Sequence, residues 1–118
     1  MRLAPGPMMD AAIARRLWRA IVFMDIEGQG AYLVRQGDHA RMPLPGYSTN
    51  VDDAHRVVKQ MQAHGYAATL KSAPEFGKCY ACFTQNDGKN YRMSEAETLP
   101  MAICLAAVEA LDGTNLSP

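Results

Sequence analysis

Cys79-Tyr80-Ala81-Cys82 is the most suggestive grouping of reactive residues in this 118-residue chain. A C-x-x-C pair exchanges electrons when its first cysteine sits at a helix N-terminus, where the dipole lowers the thiol pKa. It holds zinc when two more ligands complete a tetrahedron. The sequence offers neither setting. The flanking residues read as a strand, in which positions three apart point to opposite faces, and His39, His55, His64 and Cys104 show no paired spacing. Cys79 and Cys82 are therefore expected to be unpaired structural thiols, with no metal and no cofactor.

Other motifs fall short in the same way. Gly28-Gln29-Gly30 opens like a dinucleotide loop, but Leu33 stands where the third glycine belongs and no strand–loop–helix unit surrounds it. Gly46-Tyr47-Ser48-Thr49-Asn50 has the outline of a nucleophile elbow, with Asn50 in place of its second glycine. Ser48 and Thr49 read better as hydrogen-bonding groups at a helix entry. Asp52 and Asp53 are a carboxylate pair, yet neighbours on a helix diverge by about 100°, so compensation of the helix dipole accounts for them better than shared acid–base work. His64, at a helix C-terminus, reads as solvated.

Two clusters retain a binding interpretation. Arg35, His39, Arg41 and Tyr47 bring cations, a titratable ring and an aromatic to one loop, a mixture suited to a phosphate-bearing small molecule or an acidic protein surface. Lys89, Tyr91 and Arg92 flank a hairpin, where they have the chemistry to stack on a base and clamp a phosphate. The plainer alternatives are an ordinary polar loop and a solvated sheet edge.

Helices and strands must position these residues. Apolar spacing predicts a helix from about Met9 to Met24, with Asp10 as its cap and Arg15, Arg16 and Arg19 on the wet side; the pattern degrades at Val22 and Phe23. Asp25–Gly30 reads as a turn, Ala31–Arg35 as a short strand, and Gln36–Tyr47 as a loop. A second helix spans Val51–His64, capped by Asn50 and closed by Gly65. Three strands come next as an antiparallel meander, Tyr66–Ser72, Lys78–Gln85 and Asn90–Ser94, with Asn86-Asp87-Gly88-Lys89 as a hairpin turn. A last helix runs from Pro100 to Leu111, with Thr98 as cap. Its bulky stripe is Met101, Cys104, Leu105, Val108 and Leu111, and Glu109 is its single charge. Ile103, Ala106, Ala107 and Ala110 leave its other side uncharged. That side calls for cover, from the first helix of the same chain or from a second copy, so the chain is expected to self-associate as a dimer through this helix or through the outer surface of the sheet.

With 48% hydrophobic residues the chain suits one domain, expected over residues 9–113 between a flexible leader (1–8) and tail (114–118). Met8 and Met9 are alternative starts to Met1. Twelve basic and twelve acidic residues cancel, which argues against a duplex-DNA binder. Three cysteines do not make a disulfide framework, no apolar run approaches the ~20 residues of a membrane span, and the N-terminus has no apolar core of a signal peptide. Reduced thiols in a bacterial cytosol are expected.

Helix, loop, helix, three strands, helix is an order that resembles the phage ABA sandwich domain family of bacteriophages and prophages. Pro45–Asn50 running into Ala54–Val58, and Glu97–Ala107, carry the resemblance; Met9–Ala14 is also similar. It spans Met9 to Asp112. Asn50 replaces the family's usual aspartate, and both residues cap helices. The resemblance implies a layered α-β-α sandwich of α+β type and a phage context. It supplies no activity whose residues could be carried over. The resulting expectation is a non-enzymatic accessory protein that binds and blocks or sequesters a host component, with anti-phage defence as the favoured target. A small nucleotide-processing enzyme and a virion assembly module are the alternatives.

Overall fold

The computed structural model describes residues 5–25, 31–35, 42–85 and 91–111. Nearly all of the turn after Asp25 and the whole Asn86–Lys89 hairpin tip fall outside them. Three α-helices, a short 3-10 turn at Pro74–Phe76 and two antiparallel three-stranded sheets make up the described chain. The larger sheet is a meander of β4 (Tyr66–Ala73), β5 (Lys78–Gln85) and β6 (Tyr91–Ala96), in that spatial order. Helices α2 (Val51–Ala63) and α3 (Leu99–Leu111) pack against it, and α1 (Pro7–Trp18) packs against both helices. This is the α+β sandwich expected from the pattern of elements.

The first helix is shorter than its apolar periodicity predicts. It stops at Trp18 because Arg19 turns left-handed (φ 51°) and the Arg19 and Ala20 amides both donate to the Ala14 carbonyl. A non-glycine residue in that region costs about 1–2 kcal/mol, so the next segment must hold the turn in place. That segment is a strand. Ile21–Asp25 (β1) pairs along its whole length with Ala31–Arg35 (β2), whose other edge takes a two-residue strand, β3, at Met42–Pro43. Ile21, Val22 and Phe23 are β-branched or aromatic, and their strand preference prevails over a helical period already failing at these positions. The predicted loop from Gln36 thus contains one short paired stretch.

Elsewhere the elements match the sequence closely. Asn50 caps α2, its side chain accepting from the Asp53 amide at 3.0 Å, and Gly65 ends the helix at φ 94°. Thr98 Oγ1 accepts from the Met101 amide at the start of α3. In β5, Cys79, Ala81 and Phe83 are buried towards the helices, while Tyr80, Cys82 and Thr84 are half-buried on the opposite face. Period-two alternation therefore separates the two cysteines as predicted, and both are free thiols.

Helix α3 sits at the centre. Every residue from Pro100 to Ala107 is buried, with Ala102, Cys104, Ala106 and Ala107 at zero exposure. Sheet β4–β6 lies along it, and α1 and α2 complete the enclosure. Its one charge sits near the rim, where Glu109 accepts a hydrogen bond from Ser94 of β6 at 3.0 Å. The counterpart of α3 in the sheet is Phe83, fully buried on the central strand. Phe83→Ala should lower the unfolding free energy by about 3–5 kcal/mol, read as a fall in the urea midpoint at unchanged m-value.

Candidate functional site

Asp10, Ser48 and Asp53, three hydrogen-bonding side chains that could do chemistry, converge where the segment before α2 meets the first turn of α1. Asp10 lies inside that turn rather than capping it, and is only 6% exposed. Its Oδ1 accepts from the Ser48 amide at 2.7 Å and from the Ser48 hydroxyl at 2.6 Å. Ser48 Oγ in turn accepts from the Gly6 amide at 2.9 Å. Beside it, the Gly46 amide donates to Asp53 Oδ2 at 2.9 Å. A Cβ on Gly46 would lie 2.9 Å from Thr49 Oγ1, so a larger residue here would require the Thr49 side chain to move. Between these residues the Tyr47 ring stacks on Trp18, centroids 5.1 Å apart and planes 14° from parallel.

Burial governs the electrostatics. Loss of solvent raises the Asp10 carboxyl above its usual 3.8 despite the two bonds from Ser48, with the nearby Asp53 charge adding to the rise. Burial pushes the Tyr47 phenol up to about 12. It also drives the Cys104 thiol far up, helped by the Asp10 charge, so Cys104 stays protonated and unreactive. An aspartate bonded to a serine hydroxyl is the geometry of a base and a nucleophile. Ser48, however, has zero exposure, and no histidine stands between the pair. Their hydrogen bonds join α1 to the entry of α2. The network is structural.

An accessible concavity occurs elsewhere, on the face of sheet β4–β6 turned away from the helices. It is a groove of about 330 Å³, floored by Tyr80, Ala81 and Cys82 and rimmed by Thr69, Lys71 and Met93. The spacing of reactive residues does not reveal it, although a signal is visible in the strand: β5 is apolar at Cys79, Ala81 and Phe83 and again at Tyr80 and Cys82. A strand with apolar residues on both sides is one whose two faces both seek cover.

Of the predicted binding residues, Tyr47 does not line that groove. Tyr47 is a buried core ring, not an exposed loop aromatic. Arg35 ends β2, paired with Ile21, and His39 and Arg41 lie outside the described residues. Tyr91 and Arg92 open β6, in register with Thr84 and Phe83, while Lys89 lies outside the described residues. The uncharged side of α3 is also answered within one chain. Ile103, Ala106 and Ala107 are at most 1% exposed in the single chain, and half-buried Ala110 accepts a hydrogen bond from Tyr66 through its carbonyl. Three of the four residues expected to form a subunit interface are therefore interior. Among the described residues no group of histidine, cysteine or carboxylate side chains is placed to hold a metal ion, and no helix is long and apolar enough to cross a membrane.

Fold and site together define a small α+β sandwich whose most polar cluster is built into its packing. The family model of the phage ABA sandwich domain matches residues 12–108, and the chain belongs to that family. Its fold is similar to the 2.0 Å crystal structure of a phage protein from Bacillus cereus ATCC 14579, with a TM-score of 0.72 and 22% identity across 93% of this chain and 96% of that one. No curated protein matches the chain.

The raised pKa of Asp10 has a definite linkage sign. Folding makes this carboxyl hold its proton more tightly, so its ionisation opposes folding above the folded pKa, and acidification relieves that cost. Relative to Asp10→Asn, the wild-type chain should gain stability as pH falls from neutrality towards the ordinary value of 3.8. Urea midpoints across that range check it, and a relative loss would mean that the Ser48 bonds outweigh burial. Ser48→Ala removes a donor from a buried carboxylate and should cost about 1–3 kcal/mol.

Proposed function

We propose that this protein is a phage accessory factor that works by binding a host component and blocking or sequestering it, without turnover. One observation carries the reading. The aspartate, serine, tyrosine and cysteine with the strongest chemical potential lie in or against the core, and the Asp10–Ser48 hydrogen bonds join α1 to the segment entering α2. Catalysis needs a nucleophile or base within reach of a substrate proton, and this cluster has no opening for one. What the chain offers at its surface is apolar contact area, with Met8, Val51, Phe76 and Met93 each at least half exposed. That suits a stoichiometric binder.

The phage family favours a host target, and anti-phage defence is the class of target proposed. Phage plating on defence-carrying bacteria, with and without expression of this chain, tests it. Plating of a restricted phage should rise with expression on at least one defence background, and the purified protein should leave a panel of nucleotides unchanged. Steady nucleotide turnover would replace this reading with a nucleotide-processing enzyme. Unchanged plating on every background would remove the anti-defence role.

A further inference from the structure

Sheet β4–β6 has two faces, and α2 and α3 pack against only one of them. On the other, strand register arranges the side chains in rows. Lys71, Tyr80 and Glu95 are in register across β4, β5 and β6, and so are Thr69, Cys82 and Met93. The apolar centre of these rows is the groove already described, and Met93 stands 60% exposed beside it. A cation lies at one edge and an anion at the other, with an aromatic and a thiol between them.

From this arrangement we infer that the outer face of sheet β4–β6 docks a second copy of this chain, face to face, about a two-fold axis running along β5. Such an axis exchanges the two edges. It sets Lys71 over Glu95 of the second copy and Glu95 over the second copy's Lys71. Met93 falls over the Thr69 methyl, and Tyr80 and Cys82 each meet their own counterpart on the axis. A two-fold axis running across the strands would instead set β4 over β4 and β6 over β6 of the second copy, so Lys71 and Glu95 would stay on opposite edges and neither charge would meet its opposite. Isologous interfaces need a self-complementary patch, and only the strand-parallel axis provides one here. Facing sheets in proteins align within about 30°, close to this geometry.

Glu95 already lies 3.9 Å from Lys78 of its own chain, both side chains about half exposed. That bridge draws Lys78 away from the axis, where it would otherwise oppose its counterpart, and leaves Glu95 between two ammonium groups. Three strands spaced about 4.8 Å apart, over some 20 Å of length, present roughly 300 Å² per copy. A pair would bury around 600 Å², well below the ~1,200 Å² of standard stable interfaces. The dimer is consequently weak and concentration-dependent, a property independent of what the protein blocks.

Sedimentation equilibrium over a wide concentration range tests the inference, with circular dichroism confirming that each variant is folded. The wild type should move from monomer towards dimer at high concentration. Lys71→Glu and Glu95→Lys should each weaken association about tenfold, since each reverses two pairs per dimer. The double reversal should restore it. A short bis-maleimide should join two chains through Cys82, and Cys82→Ala should abolish the cross-link, since Cys79 and Cys104 are buried. A chain monomeric at every concentration, charge reversals without effect, or a double variant no better than the singles would each overturn it.

Discussion

Enclosure of α3 is the constraint on which this structure depends. A thirteen-residue helix with a single charge cannot lie against one sheet and leave its other sides in water. Burying each of Met101, Ile103, Cys104 and Leu105 favours folding by up to about 1.5–3 kcal/mol, but only if cover exists all round. Sheet β4–β6 supplies one side, and α1 and α2 supply the remainder. Alanines 102, 106 and 107, all at zero exposure, are small enough to let the neighbouring backbones approach closely. Glu109 is tolerated because it reaches the rim, where Ser94 donates to it.

That enclosure explains why a carboxylate is buried where α1 meets the entry to α2. Drawing α1 over α3 brings its first turn against the segment leading into α2, and the backbone amides of that segment need acceptors. Asp10 and Asp53 provide them, accepting from Ser48 and Gly46 respectively. A buried charge is costly unless hydrogen-bonded, and the raised pKa of Asp10 records the part of that cost left uncompensated. Trp18 and Tyr47, stacked beside this junction, add apolar contact to the same joint. Residues that look like a nucleophile and its base are here a clasp between two helices.

The two faces of β5 divide the remaining roles. Cys79, Ala81 and Phe83 belong to the core shared with α3, whereas Tyr80 and Cys82 belong to the surface groove. One strand thus links the core shared with α3 to an apolar groove on the surface. Charges at the edges of that concavity, Lys71 on β4 and Glu95 on β6, keep the face soluble and give any partner a preferred orientation.

Local physics made much of this legible from the residues alone. Asn50 and Gly65 mark the ends of α2 because capping needs a side-chain acceptor at one end and a left-handed residue at the other. Alternation in Lys78–Gln85 predicted that Cys79 and Cys82 would face apart, and the strand observed there has the predicted limits. The family, too, was readable from Pro45–Val58 and Glu97–Ala107. What only the tertiary structure decided depends on contacts between distant segments. Ile21–Asp25 became a strand because β2 was there to pair with it, a partner that helical periodicity does not register. Asp10 lies inside α1, which starts earlier at Pro7, and its side chain serves instead Ser48, thirty-eight positions away, which brings two donors to it. The bare side of α3 presented the same composition whether a second copy or α1 covered it, and composition carries no information on which neighbour is closer. Chain connectivity decided the matter by packing α1 and α2 of the same chain against α3, which leaves Ile103, Ala106 and Ala107 at most 1% exposed.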